Sequence, residues 1–456
     1  MSSTPAPTSP PAAEPVPSIL SPRYRATTIG MVALVSLHAF EALAVAAAMP
    51  TVAHDLDGLR LYALAFGGTL ATSVIGMTLA GRWSDRRGPA RPLWLGLLSF
   101  IAGLLLAGLA QQMGVLVLGR LLQGLGAGAI SVALYVLVGR TFPEAMRPKV
   151  FAAFSAGWVV PSLIGPGISG LIVQHLGWRW VFLGVPFLAL PAALLLRGVL
   201  REASAAAVPA PGKDPGIIRW AIGAAGGALL LYLGGQQHGT LAAGLLALAL
   251  GLLVLCSWKL LPPGTLTLRR GLPSVIALRG IAASAFFGCE AFLPLLLQRE
   301  RGLSPLMAGV ALSLGALGWF AGSTLQGHQQ RGWTRRQLLH AGALLMCVGI
   351  IATSLAIQPG IPLWSALAGW TLTGLGMGLI YPSLSVLTLS LSPPAEQGAN
   401  TSALQLSEAL AVATTLAISG SLFALFLSGA VTLGYLLTFA IMLVLAVTSV
   451  AVARRI

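Results

Sequence analysis

From residue 26 onward the chain is a succession of long apolar stretches separated by short polar breaks. Fourteen are read, at 26–50, 60–80, 92–111, 114–140, 149–175, 178–198, 216–236, 239–258, 274–298, 305–327, 335–357, 362–390, 398–428 and 430–453. A helix crosses the hydrocarbon of a bilayer with about 20 such residues. The strands of a membrane barrel are shorter and alternate in polarity, so helices are expected. Composition agrees. Only 9% of residues are charged, against about 25% in a soluble domain, and the mean hydropathy is +0.86. A soluble enzyme, a coiled coil and a disordered chain are excluded. The expected fold class is an all-α integral membrane protein with fourteen transmembrane helices.

Residues 1–22 contain seven prolines and no hydrophobic run, which predicts a disordered cytoplasmic tail rather than a signal peptide. The net charge of +15 would suggest nucleic acid in a soluble protein. Here the distribution explains it. Of 27 Lys and Arg, all but five are assigned to loops on one side; Arg60, Arg179, Arg299 and Arg301 fall on the other side, and Arg120 lies within a helix. This positive-inside bias predicts cytoplasmic N- and C-termini and removes the need for a nucleic-acid partner. The excess of Arg over Lys fits a GC-rich genome, and a bacterial plasma membrane is the expected location. The three cysteines, Cys256, Cys289 and Cys347, sit in apolar runs and imply no disulfide framework.

An internal repeat is visible. At an offset of 250, Gly119, Gly124, Gly126 and Gly128 fall on Gly369, Gly374, Gly376 and Gly378; Pro143 falls on Pro393, and Ile168-Ser169-Gly170 on Ile418-Ser419-Gly420. Glu41 falls within one residue of Glu290. The offset spans an even number of helices, so the copies run in the same direction. The expected organisation is a six-helix bundle over 23–200, a linker with two extra membrane helices over 201–273, and a second six-helix bundle over 274–456. The extra pair holds almost no charge beyond Arg219, so little functional content is expected there.

The chain has only 12 acidic residues, and three lie inside membrane segments: Glu41, Glu290 and Glu408. A carboxyl group removed from water holds a proton readily, which suits it to proton transfer, while a neighbouring Arg opposes this. Arg120, also inside a helix, must face the bundle interior or a watery cavity. His38 lies one turn before Glu41 and could relay protons. Each group also has a structural reading: a protonated Glu bonded to backbone, an Arg capping carbonyls, a His satisfying a local hydrogen bond. Gln123, Trp158, Trp370, Tyr381 and Gln405 are candidates to line a cavity. No metal-ligand cluster, phosphate loop or nucleophile–base arrangement stands out.

Several motifs carry a family resemblance. The loop Gly81-Arg82-Trp83-Ser84-Asp85-Arg86-Arg87-Gly88-Pro89-Ala90-Arg91 resembles the G-x-x-x-D-R-x-G-R-[RK] signature of the major facilitator superfamily, with Pro89 and Ala90 at usual basic positions. Gly119-Arg120-Leu121-Leu122-Gln123-Gly124-Leu125-Gly126 resembles its R-x-x-Q-G-x-G motif. Gly157 through Pro161, Gly165, Pro166 and Gly170 is similar to the antiporter motif, with Ser169 in place of a glycine. The stretch Glu41 to Pro50 is similar to the D-x-T-[IV]-V-N-V-A-L-P pattern of the fourteen-helix drug:proton antiporter branch, with Glu for Asp and with Leu43 and Ala46 at its Thr and Asn positions. Gly177-Trp178-Arg179 and Pro294 to Gln298 add to the likeness, which covers residues 26–454.

The resemblance implies two six-helix bundles that rock about a site near mid-membrane. It implies proton-coupled efflux of small amphipathic, cationic compounds, hence multidrug efflux and antibiotic resistance. The proton gradient takes the place of a cofactor, and the partners are small-molecule substrate, protons and membrane lipid around a monomer. Glu41 would be the first proton site, Glu290 its mate, and Arg120 a tuner of proton movement. Gly81, Asp85, Arg86, Gly88 and Arg91, with Gly157, Pro161, Gly165, Pro166 and Gly170, would form the conformational switch. A lipid or glycolipid exporter of the same fold, a nutrient symporter and a non-transporting receptor stay open as alternatives; a membrane enzyme is not expected.

Overall fold

The structure is a computed structural model, and it describes residues 18–143, 146–205, 216–235, 237, 239–327, 332–393, 396–427 and 429–456. Helices account for all the regular structure of these residues. The first half contains α1 (Arg25–Asp55), α2 (Tyr62–Arg87), α3 (Ala90–Gly108), α4 (Met113–Thr141), α5 (Arg147–His175), α6 (Arg179–Leu183), α7 (Val185–Leu194) and α8 (Arg197–Ala205). A hairpin of α9 (Ile217–Gly234) and α10 (Gly239–Leu260) follows. The second half contains α11 (Leu272–Arg299), α12 (Pro305–Gly327), α13 (Arg335–Ser354), α14 (Trp364–Leu391), α15 (Gln397–Leu425) and α16 (Val431–Ala453). Among the described residues, 13 helices are long and apolar enough to cross a membrane, and a bent pair makes up to 14. The protein is therefore a multi-pass membrane protein.

The bent pair is the expected sixth span, which is broken rather than continuous. It runs over Arg179–Leu194 and then turns by 54° into Arg197–Ala203. Gly184 separates α6 from α7, while the turn itself falls at residues 195–196, beyond Pro186 and Pro191. Beyond the bend, Arg197, Arg201 and Glu202 are exposed while Leu196 and Leu200 are buried. This amphipathic segment docks on α4, where Arg140 Nη1 donates to the Ala203 carbonyl at 3.2 Å. Most of the expected N-terminal tail lies outside the described residues; near its end, the Ile19 carbonyl accepts from the Thr28 hydroxyl at 2.8 Å.

The 250-residue repeat is a packing repeat. In α4, Gly119 and Gly126 lie against the backbone of α3 at Gly103 and Gly96, and Gly124 and Gly128 against α2 at Thr69 and Ser73. In α14, Gly369 and Gly376 lie against α13 at Gly349 and Gly342, and Gly374 and Gly378 against α12 at Gly315 and Trp319. A methyl group at any of the eight would meet a carbonyl oxygen or amide nitrogen of the neighbouring helix. Glycine is needed because the backbones themselves are in contact.

The halves meet along two related seams, α5 on α12 and α15 on α2. Gly170 packs on Leu306 and Gly309 on Pro166 at the first; Gly420 packs on Ala63 and Gly67 on Leu416 at the second. Between them, Thr51 Oγ1 lies 3.2 Å from Gln298 Oε1, Gln298 Nε2 donates to the Ala47 carbonyl at 3.2 Å, and the Tyr62 hydroxyl donates to the Ala291 carbonyl at 2.5 Å. These contacts lie toward the end of the molecule opposite the Arg-rich loops, here termed the outer end; the other is the basic end. The hairpin is not a bystander. Its α9 packs on both α2 and α15 and so covers the second seam. Tyr232, fully buried, donates its hydroxyl to the Arg60 carbonyl and accepts from Ser421 Oγ (3.4 Å) at its own carbonyl.

Candidate functional site

Glu41 stands near the middle of α1, 16 residues from its start, or about 24 Å along the axis at 1.5 Å per residue. It is 2% exposed and bonds Arg120 of α4, Nη1 to Oε1, at 2.5 Å. The same nitrogen donates to Gln123 Oε1 at 2.7 Å, and Arg120 Nε donates to the Ala65 carbonyl of α2 at 3.0 Å. The charge is thus compensated and sealed by three helices. Small residues around the acid, Ala44, Ala46, Ala47 and Ala48, leave room for close helix approach. Ser169, the departure from the antiporter pattern, donates to the Ala44 carbonyl at 2.6 Å and ties α5 to α1. His38 sits edge-on to Trp158 and Phe100, with Nδ1 buried and unpartnered, within electrostatic reach of Glu41 and Arg120.

The equivalent place in the second half is built differently. Trp370 occupies the position of Arg120, and its Nε1 donates to the Leu312 carbonyl of α12 at 3.1 Å. This repeats the bond of Arg120 Nε to the Ala65 carbonyl of α2, without the charge. Trp370 is 1% exposed and stacks on Phe286 with centroids 4.8 Å apart. Glu290, the mate of Glu41, is about 27 Å along α11 and half-buried. No ion pair or hydrogen bond to its carboxylate occurs among the described residues.

The third acid has a cation that the sequence reading misplaced. Arg279 belongs to α11, not to a basic loop; it is 4% exposed, about 10 Å along that helix. Its Nε donates to Glu408 Oε2 of α15 at 2.6 Å and its Nη1 to the Tyr381 carbonyl of α14 at 3.3 Å. The guanidinium carbon lies 3.0 Å from the Tyr381 ring centroid, and the Tyr381 hydroxyl donates to Glu408 at 3.2 Å. Trp319 packs on Tyr381 and Phe286 on Trp319, at 4.9 and 5.0 Å. Across the seam, Tyr135 of α4 reaches the Gln405 side chain, one turn from Glu408. Close approach of α11 and α15 follows from Gly280 on Ser407, whose hydroxyl donates to the Ile276 carbonyl at 2.9 Å. A signal was present: Arg279 falls inside the stretch read as 274–298, and a membrane acid calls for a base.

The other predicted residues divide by location. Tyr381, Gln405 and the 40% exposed Trp158 lie at surfaces between helices, whereas Gln123 and Trp370 are enclosed within their own halves. Gly157 faces Ser36 of α1, Gly165 faces Phe40, and Pro161 and Pro166 remain within the helix α5. In the basic loop, Gly88 closes α2 at φ +80°, a left-handed conformation that favours glycine. Gly81 has free space around it, Arg86 and Arg91 are exposed, and Arg140 Nη2 donates to the Ser84 carbonyl at 2.9 Å. The Asp85 side chain and residues 328–331 of the second loop lie outside the described set. Among the described residues no group of three metal-ligating side chains is found.

Two like-oriented bundles, each with an acid on its first helix, define a class of membrane transporter. A family profile for the Major Facilitator Superfamily matches residues 31–413, and the chain belongs to that superfamily. It is 28% identical over 422 residues to a probable multidrug-efflux transporter of Mycobacterium tuberculosis, covering 87% of each chain. It is 30% identical to the puromycin resistance protein of Streptomyces alboniger, covering 76% of this chain and 71% of that one. To the multidrug efflux pump SdrM of Staphylococcus aureus it is 24% identical, covering 88% and 90%. The fold is also that of a crystal structure of a POT peptide transporter with alafosfalin, at TM-score 0.66 and 17% identity, covering 94% and 97%. A D-xylose–proton symporter matches with TM-score 0.66 at 15% identity, covering 94% and 97%. The protein is a transporter of this superfamily.

Proposed function

We propose that the protein is a proton-coupled antiporter that exports small amphipathic cations. The observation that carries this reading is Glu290, a carboxylate deep in a membrane helix with no cation beside it among the described residues. Such a charge is expensive in an apolar surrounding unless a proton or a cationic solute joins it. Glu41 and Glu408 each already hold an arginine. The printed names of the bacterial relatives, multidrug efflux and puromycin resistance, support a drug-sized solute.

The basic end faces the cytoplasm by the positive-inside rule. The halves are tied together at the outer end, a contact that must part for a solute to leave outward. A cation entering from the cytoplasmic side takes the place of the proton on Glu290. The halves then rock, and a proton arriving from outside neutralises the carboxylate and releases the cation outward. The neutral form returns, and the proton leaves to the cytoplasm. Coupling cannot exceed the difference in proton affinity between the two states, about 1.4 kcal/mol per pKa unit. No cofactor enters this cycle, and one chain suffices for it.

The test is dye counterflow in proteoliposomes under an imposed pH gradient. Glu290→Gln is expected to lower gradient-driven export by about two orders of magnitude while the protein still folds. Retention of gradient-driven export in Glu290→Gln, Glu41→Gln and Glu408→Gln alike would remove the proton site from all three acids.

A further inference from the structure

We infer that Arg279 is a tethered competitor of the substrate: its guanidinium fills a cation site formed by Glu408 and the Tyr381 ring, and an amphipathic cation binds there by displacing it. The inference rests on the reading above that the solute is a cation.

Arg279 is held as a ligand is held. Its charge lies on one carboxylate, Glu408, at 2.6 Å, and on one aromatic face, Tyr381, at 3.0 Å. Cations bind aromatic faces best when desolvated, and the wall behind this one continues through Trp319 and Phe286. An aromatic wall with a single acid suits an alkylammonium or a delocalised aromatic cation, which places its charge on the acid and its apolar body on the rings.

The other internal arginine lacks these features. Arg120 has no ring over it among the described residues, and it is fixed by Glu41, Gln123 and the Ala65 carbonyl together. Its carboxylate partner is 2% exposed, against 18% for Glu408. An arriving solute can therefore touch Glu408 while Arg279 still occupies it. The approach is lined by groups suited to an amphipathic molecule: the Gln405 amide and the 38% exposed Tyr135 ring. The site also lies nearer the basic end than Glu290 does, at about 10 Å along α11 for Arg279 against about 27 Å for Glu290. It is thus the first acid that a cation from the basic end reaches.

Displacement makes affinity a difference of two interactions. The substrate gains Glu408 and Tyr381 only to the extent that it outcompetes a guanidinium attached to the same chain. That selects for weakly hydrated cations with a large apolar body and rejects small hydrated ones. Release is assisted, because Arg279 returns to the site as the solute leaves.

The experiment is equilibrium binding of ethidium to the full-length protein in nanodiscs at fixed pH, followed by fluorescence anisotropy, with no gradient. Arg279→Ala is expected to tighten ethidium binding about tenfold, and Arg279→Lys about threefold, since lysine keeps the charge but forms no planar fork. Glu408→Gln is expected to weaken it about tenfold, and the double variant Arg279→Ala with Glu408→Gln to lose the gain. Unchanged or weaker binding by a folded Arg279→Ala or Arg279→Lys protein would overturn the competitor role and leave the antiport reading standing. Failure of the wild-type protein to bind any organic cation would overturn both. If Arg279→Ala does not fold, Arg279→Lys decides the matter alone.

Discussion

The two halves share a scaffold and differ in how they treat charge. Four glycines of α4 and four of α14 meet the same neighbours in the same order. At the position where α4 carries Arg120, α14 carries Trp370, and each donates a hydrogen bond to a carbonyl two helices earlier, on α2 and α12. The scaffold thus asks for an N–H donor there; the charge is an addition made only in the first half. It holds Glu41 in an ion pair, whereas its mate Glu290 has no cation beside it among the described residues. The second half has an ion pair too, but built on other helices, α11 and α15, and open to the seam. One half holds its charge sealed, whereas in the other Glu408 is 18% exposed and Glu290 half-buried.

The comparison can be broken most forcefully at the sealed pair. Arg120→Leu leaves Glu41 buried without its cation and is expected to destabilise the protein by about 3–5 kcal/mol, read as a lower unfolding temperature in detergent. Arg120→Leu combined with Glu41→Leu should restore much of that loss. An Arg120→Leu protein as stable as the wild type would mean that the pair is not sealed. The symmetry of the scaffold is tested by Gly124→Ala and Gly374→Ala. Each pushes a methyl into a backbone contact, and each should cost about 1–3 kcal/mol. A large effect in one half alone would show that the repeat is one of sequence without equal packing. The smallest effect belongs to Trp370→Phe. It removes the bond to the Leu312 carbonyl and part of a buried ring, and should cost about 1–2 kcal/mol of stability, with transport retained.

Much of this was legible in the residues, because membrane helices announce themselves by length and hydropathy. Thirteen of the fourteen expected spans appear as single helices; the sixth is bent at residues 195–196, a local break that a hydropathy window averages away. The glycine repeat was also readable, since only glycine permits backbone contact. Side-chain pairing was not. Glu41 and Arg120 were both visible as membrane charges, but 79 residues separate them and nothing in the sequence says that they touch. Arg279 was counted with the loop charges since it lies near a helix start, and the tilt of a helix decides whether such a residue reaches water or an acid. Trp370 was read as a cavity residue, but it is 1% exposed and its Nε1 donates to the Leu312 carbonyl.

The hairpin gives the molecule a front and a back in the plane of the bilayer. Where α5 meets α12, the groove between the halves is bordered by acyl chains, which can part and flow. Where α2 meets α15, the groove is roofed by α9, whose face consists of Ala221, Ala224, Ala225, Ala228 and Leu231, lying against Ala71, Val74, Ala409, Ala413 and Ala417. Alanines dominate the buried part of that contact, with Leu, Ile and Val around them. The buried Tyr232, whose hydroxyl donates to the Arg60 carbonyl, pins the outer edge of this contact.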